Sequence, residues 1–265
     1  MSIQSEIDRI ITAVGSAYDA VESKGGTAPA AQTIEGLAGA ISGIKSAPTT
    51  PYMVAEYEQE LMTEYESASF IKKAKLYNHT RIAAYEFAYQ HLLQELDMSD
   101  PSNNITTIDA NAFAFSMCEN VIIPETVTLI GNTAFSSANI GTMILPGSVT
   151  RISVFAFQGV SGVNGVAPVI KLNEGLAVIE LSAFNDARIA GEIEIPSTVT
   201  EIGGYCFAYT DITTVICKPT TPPVLGSGAF SSDTAGFTIK VPAASVAAYK
   251  AADGWKDYAN YIVAM

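Results

Sequence analysis

The chain has 265 residues, 27 of them acidic and 14 basic, for a formal charge of −13. That balance argues against nucleic acid, whose phosphates need a basic footprint, and against electrostatic adhesion to anionic membranes. Three cysteines are an odd number without metal-ligand spacing, and no stretch approaches the roughly 18 consecutive apolar residues of a membrane-spanning helix, so neither a disulfide framework nor membrane insertion is expected.

Ile3, Ile7, Ile10, Val14, Ala17 and Val21 follow the alternating four-three spacing of a helix that packs along a narrow seam, and Gly25 and Gly26 end it. After Thr33, which offers an N-cap, Ile34, Leu37, Ile41 and Ile44 repeat the spacing before Pro48. Two seams this short bury too little to stand alone, so residues 1–47 are expected to form a helical attachment or oligomerisation segment. Its partners would be other copies, as a homotrimer or a dimer, or a larger particle; a helical hairpin packed on the rest of the chain is the alternative. The stretch MSIQSEIDRI to AISGI resembles the leading segment of phage and prophage tail or structural proteins of Gram-positive hosts. That resemblance implies docking onto other virion or tail proteins. The N-terminus also lacks an apolar core of signal-peptide length, which leads to an expectation of synthesis in the cytoplasm without a signal peptide and display on an extracellular or phage-like particle.

Residues 51–98 contain no Gly or Pro between Pro51 and Asp97. Val54, Tyr57, Leu61, Tyr65 and Ala68, then Ile82, Tyr85, Tyr89, Leu92 and Leu96, are spaced three and four apart, which predicts a helical stalk, or a hairpin if broken near Asn78 to Thr80. Polar residues around Pro101 mark the boundary with the next region.

From 102 to 244 the sequence repeats. Phe113, Phe135, Phe157, Phe184, Phe207 and Phe230 recur at intervals of 22, 22, 27, 23 and 23 residues. Each is preceded by Ala, or by Cys206 in one copy, and by an apolar pair three apart such as Val127/Ile130, Val149/Ile152 or Val199/Ile202. Two copies depart: the sixth has Gly226 where the second apolar residue is expected, and the third lacks its Pro, with Asn173 in that place, and is five residues longer through Val160 to Pro168. A unit repeated at this period is stacked on copies of itself, and the result is a solenoid with an internal phenylalanine stack and a small side chain where coils press together. Pairs such as Met143/Leu145 and Ile193/Ile195 have strand spacing, which sends the residue between them to the opposite face. The predicted outward row is Ile122, Ile144, Lys171, Glu194, Cys217 and Lys240.

The segments IIPETVTLIGNTAF, ILPGSVTRISVFAF and EIPSTVTEIGGYCF resemble the BspA-like, Treponema pallidum-type leucine-rich repeat. What the resemblance implies is a surface adhesion and recognition module. Residues 245–265 look like the closing segment of such proteins, with Val246, Tyr249, Trp255, Tyr258 and Ile262 covering the last coil. The whole chain is thus expected to be α+β, a heptad-bearing helical region followed by a β-rich repeat solenoid with a C-terminal cap.

Nothing in the sequence spells chemistry. His79 and His91 are the only histidines and lack metal spacing, no nucleophile elbow, HExxH or Walker loop is present, and Glu192 and Glu194 have no acid placed opposite them. The expectation is a non-enzymatic protein without cofactor or metal. A virion or tail-like component recognising a bacterial surface glycan or protein is the first reading, a BspA-like cell-surface adhesin the second, and a decoration or spacer without ligand the third. Candidate binding residues are the exposed row, with Ile122, Ile144, Lys171, Glu194 and Lys240, and the long third turn from Val160 to Pro168, including Asn164.

Overall fold

The computed structural model describes residues 52–60, 68–231 and 236–265. The chain divides into two units, Met1–Pro51 and Tyr52–Met265. The expected attachment segment, with its seam from Ile3 to Ile44, lies outside the described residues, and so do the homotrimer or dimer contacts expected of it.

The second unit is a β-solenoid built on one short strand per coil. These pair in parallel as a seven-stranded sheet running from Arg81–Ile82 through Thr107–Ile108, Leu129–Ile130, Arg151–Ile152, Val178–Ile179 and Glu201–Ile202 to Val224–Leu225. In every pair the second residue points inward, and all seven are buried. Five residues on, a phenylalanine enters the core. Phe87, Phe113, Phe135, Phe157, Phe184, Phe207 and Phe230 stack ring on ring, with centroids 4.9 to 5.7 Å apart and planes within 10° of parallel. Each buried ring contributes about 1.5–3 kcal/mol of apolar transfer energy, and the stacking adds to it.

The backbone around each phenylalanine alternates in hand. In one coil the N–H groups of Asn111, Phe113 and Phe115 donate to the carbonyls of Asn132, Ala134 and Ser136 on the next coil, while Ala112, Ala114 and Ser116 donate back to Asp109, Asn111 and Phe113. The alternation places the residues two before and two after the phenylalanine at positive φ, for example Asn111 at 59° and Phe115 at 58°. Ala precedes the ring because the neighbouring coil is in contact there, and Cys206 fills the same buried place.

The described coils number seven, one more than the Phe113 to Phe230 register foretold, because the described residues of 51–98, expected as a helical stalk, form strands and a coil instead. Tyr52–Glu60 and Ala68–Tyr77 are antiparallel strands with a bulge at Glu56/Tyr57, and Ala68–Tyr77 runs parallel to Glu95–Asp97. Alternation decides it: Ala74 and Leu76 are buried while Lys73 and Lys75 face out and pair with Glu95 and Asp97. Ile82 and Phe87 are five apart like Ile108 and Phe113, so the second supposed helical set is the first coil. It escaped the repeat pattern because His79 stands where Ile105 or Val127 stands in later coils, and Glu86 stands where they have Ala.

These two departures answer each other. His79 Nε2 lies 3.1 Å from Glu86 Oε1, His79 Nδ1 is 3.0 Å from the Tyr77 carbonyl oxygen, and Glu86 Oε2 accepts from the Ala83 N–H at 2.7 Å. Asn103 ties the same end together, accepting from the His79 N–H and donating to the carbonyls of Leu76 and Met98. The polar boundary expected around Asp97 to Asn104 therefore lies between two coils, not ahead of the solenoid.

At the other end the cap is as expected. The one α-helix among the described residues, Val246–Ala251, brings Tyr249 into the core beside Trp255, and both are fully buried. Trp255 Nε1 donates to the Pro223 carbonyl at 2.7 Å and the Tyr249 hydroxyl to that of Pro219 at 2.8 Å, while Trp255 and Tyr258 meet the last ring of the stack, Phe230. Val246 and Tyr258 pack partly buried against the core, and Ile262–Ala264 adds a final parallel strand to Thr238–Val241. The sixth repeat as read from sequence is corrected here. Leu225, not Gly226, pairs with Ile202 and holds the apolar place. Gly226 lies so near Gly204 that a Cβ would come within 2.1 Å of its backbone nitrogen.

All three cysteines are free and buried. Burial pushes the Cys118 and Cys217 thiols up from 9.0 to about 12 and raises Cys206 as well, so none is a thiolate nucleophile near neutral pH.

Two outcomes follow from this packing. Phe157→Ala, in the middle of the stack, should lower unfolding stability in urea by about 3–5 kcal/mol, since it removes a ring with neighbours on both faces. His79→Ile combined with Glu86→Ala should be at least as stable as the natural chain, whereas either substitution alone should lower the unfolding temperature by leaving half of a buried polar pair.

Candidate binding surface

A second face of the solenoid carries the longer strands. The hairpin, Glu95–Asp97 and Asn120–Val121 form its first sheet, Thr142–Ile144 and Val169–Lys171 its second, and Ala190–Ile195, Asp211–Cys217, Thr238–Val241 and Ile262–Ala264 its third.

Pairing fixes which residues face out. At the first end Lys73 bonds Glu95 at 3.2 Å and Lys75 bonds Asp97 at 3.3 Å, and hydrogen bonding to Asp97 raises the Lys75 ammonium above its ordinary value. The Asp97 carboxyl is itself held low, chiefly by the Ser99 hydroxyl and N–H. These exposed pairs add little stability but neutralise the strands they join. Next to them the character changes. Ile122 is 81% exposed and Ile144 53%, on successive coils. A groove of about 580 Å³ borders Ile122, walled by Gln94 to Ser99, Lys73 and Pro124.

Ile144 lies in register with Lys171, and there the ladder stops. Between Val169–Lys171 and Ala190–Ile195 a cleft of about 350 Å³ opens, lined by Pro168 to Asn173 on one side and by Ile189, Ala190 and Glu192 to Glu194 on the other. Lys171 and Glu194 stand on its two walls. Glu194 pairs with Lys218 at 2.5 Å, which raises the Lys218 ammonium. The ladder resumes with Glu194 beside Ile216 and Ile216 beside Lys240. Glu192 and Glu194 face Thr214 and Ile216 across it, and no acid stands opposite them.

The expected row therefore exists, with two corrections to the candidate residues. Cys217 pairs with Ile195 and is fully buried, so Ile216 is the outward residue of that coil. The slip arose because the pair Val215/Cys217 ends in a residue that the apolar pattern did not count. Val160 is also buried, in the inward place that Ala138 and Ala187 occupy, and cannot touch a ligand. Asn164 does stand at the exposed tip of the long third turn, at φ 53°. With Thr142, Val166 and Val169 it lines a hollow of about 260 Å³, so the turn and the strand row adjoin.

His79 is consumed by its structural pair with Glu86, and no group of three or more His, Cys, Asp or Glu among the described residues is placed to hold a metal. A different set of residues escaped sequence reasoning. Tyr85, Tyr89, Phe115, Tyr205 and Tyr209 are exposed on the turn face, at the positions two before or two after the stacked phenylalanines. The repeat register contained that signal, but the helical reading of residues 82–96 hid the first two.

Among curated proteins, none matches the chain. Of solved structures, it is similar to a leucine-rich repeat protein from Bacteroides ovatus ATCC 8483, at 12% identity over 71% of this chain and 70% of that one, with a TM-score of 0.33. It is also similar to the pneumococcal vaccine antigen PcpA, at 12% identity over 68% of this chain and 63% of the antigen, with a TM-score of 0.26. The BspA-type leucine-rich repeat region matches in six copies, over residues 80–209 and 164–248. Repeats that match over more than half of the sequence, and fold as coils joined by one stacked phenylalanine each, place this chain in the BspA-type leucine-rich repeat family.

Proposed function

We propose that the chain is a non-enzymatic, adhesin-like recognition protein whose strand face meets a ligand on a cell surface. The observation that carries this reading is the pair of exposed isoleucines, Ile122 and Ile144, beside the 580 Å³ groove and next to strands whose charges, Lys73 with Glu95 and Lys75 with Asp97, are paired off. Such an apolar patch, rimmed by polar residues, is expensive to leave in water and is the usual mark of an interaction site. Buried thiols and a structurally committed histidine leave the described core without an activated nucleophile, in keeping with a scaffold that binds. In cell-binding assays with the fluorescent full-length chain, Ile122→Lys with Ile144→Lys should reduce retention at least tenfold without lowering the unfolding temperature. Undiminished retention would remove the strand face from the proposal.

A second reading makes the same solenoid part of a virion or tail-like particle, docked by residues 1–47 as a homotrimer or dimer, with the bacterial surface as its target. What favours it is the heptad seam from Ile3 to Ile44 and the resemblance of the leading segment to tail proteins. Mass spectrometry of particles purified from a producing strain should then detect the protein, and finding it only in the cell-envelope fraction would leave the adhesin reading alone. A spacer without a ligand would show no saturable retention on any cells.

A further inference from the structure

The turn face carries side chains that the fold does not ask for. Among the described residues, the places two before and two after the stacked phenylalanines sit at positive φ, where Asn and Gly cost little and bulky residues are disfavoured. Asn111, Ser137, Ser182, Asp186, Gly159 and Gly228 keep to small or short polar residues there. Others hold Tyr85, Tyr89, Phe115, Phe155, Tyr205 and Tyr209 at φ between 52° and 63°. Tyr209 is 68% exposed and Tyr89 55%, so these rings do not repay the backbone by entering the core. Bulky exposed residues held in a disfavoured backbone region point to a use outside folding.

Their arrangement suggests the use. The row two beyond the stack reads, coil by coil, Tyr89, Phe115, Ser137, Gly159, Asp186 and Tyr209. Tyr89 and Phe115 stack with centroids 5.2 Å apart and planes 4° from parallel. The free face of Phe115 therefore looks along the solenoid axis to the next coils, where the row falls away to Ser137 and Gly159. A Cβ on Gly159 would come within 3.3 Å of Ser137 Oγ, so the small residues form a shallow floor. Asp186 and Tyr209 close its far end. The adjoining row, one residue beyond the stack, offers Ser136, Gln158 and Asn185. Across both rows among the described residues, Asp186 is the only charge.

We propose that this trough, from Phe115 to Tyr209, binds an uncharged glycan. The Phe115 face would take the apolar C–H face of a pyranose, and Ser137, Gln158, Asn185 and Asp186 would meet its hydroxyls. One pyranose unit of an extended chain is about as long as one coil step, so successive sugars stay in phase with successive coils. An extended peptide is the poorer fit, because the backbone N–H groups of the row are already spent: Phe115, Ser137, Gly159, Asp186 and Tyr209 each donate to the next coil at 2.8 to 2.9 Å. An anionic ligand would meet Asp186 and a chain of charge −13. The inference rests on the recognition reading above and adds a second face and a ligand class to it.

Isothermal titration of the full-length chain with four probes, the hexasaccharides of β-1,4-linked glucose, α-1,4-linked glucose, β-1,4-linked N-acetylglucosamine and α-1,6-linked mannose, tests it. Saturable binding of at least one probe is expected. Phe115→Asn and Tyr209→Asn should each weaken it tenfold or more with the unfolding temperature unchanged or raised, since Asn111 already occupies the same backbone conformation. Ile122→Lys with Ile144→Lys should bind the probe as the natural chain does. Binding of none of the four, binding unaffected by Phe115→Asn, or a lowered unfolding temperature in both Asn variants would overturn the proposal. Cell retention that is lost with Ile122→Lys and Ile144→Lys but kept with Phe115→Asn would leave the recognition reading standing without a glycan trough. Probe binding without cell retention would do the reverse.

Discussion

One ring per coil governs this molecule. Stacked phenylalanines 4.9 to 5.7 Å apart and parallel strands, which lie about 4.8 Å apart, ask for nearly the same step, so the core and the backbone ladders reinforce each other at every coil. To return a ring to the same place after each circuit, the chain must turn tightly on both sides of it, and it does so with paired left-handed residues. That turn spends half of its N–H groups on the next coil and half within its own. The small residue before the ring and the isoleucine five before it follow from the same geometry.

Such a stack has no natural end, and each open end is a liability of exposed core and unpaired strand edge. The two ends are finished differently. The C-terminal end uses apolar bulk, with Trp255 and Tyr258 against Phe230 and both buried polar tips of Tyr249 and Trp255 bonded to proline carbonyls. The N-terminal end uses polarity: the His79–Glu86 pair and Asn103 replace apolar neighbours with a closed set of hydrogen bonds, and the hairpin extends the strand face by two strands. A polar pair in a coil's inward positions is tolerable because that coil has another coil on only one side.

Because the inward positions are fixed by stacking, variation is confined to the outward ones, and the two outward faces have different chemistry. The strand face mixes neutralised ion pairs, exposed isoleucines and a cleft where the ladder is interrupted. The turn face is nearly uncharged, with aromatic rings set among amides and hydroxyls. Both are laid out at one position per coil, the geometry suited to an elongated or repetitive ligand.

The amino-acid order alone determined the solenoid, its period, its phenylalanine stack, the thiol in place of alanine and the tryptophan-bearing cap, because each depends on a residue recurring at a fixed interval or on apolar bulk gathered at one end. It also located Ile122, Ile144, Lys171, Glu194 and Lys240 on one outward row, since strand alternation is a local rule. Tertiary structure decided the rest. The stretch from 52 to 97 carries a helical spacing and, at Ala68–Tyr77, a strand alternation, and burial of Ala74 and Leu76 with parallel pairing to Glu95–Asp97 selects the strand. Cys217 and Val160 face inward because register with Ile195 and with neighbouring coils sets the face each residue takes. The gap between Val169–Lys171 and Ala190–Ile195, and the alignment of Phe115 with Ser137, Gly159 and Asp186, are relations between coils 22 to 27 residues apart, which only the stacking of one circuit on the next creates.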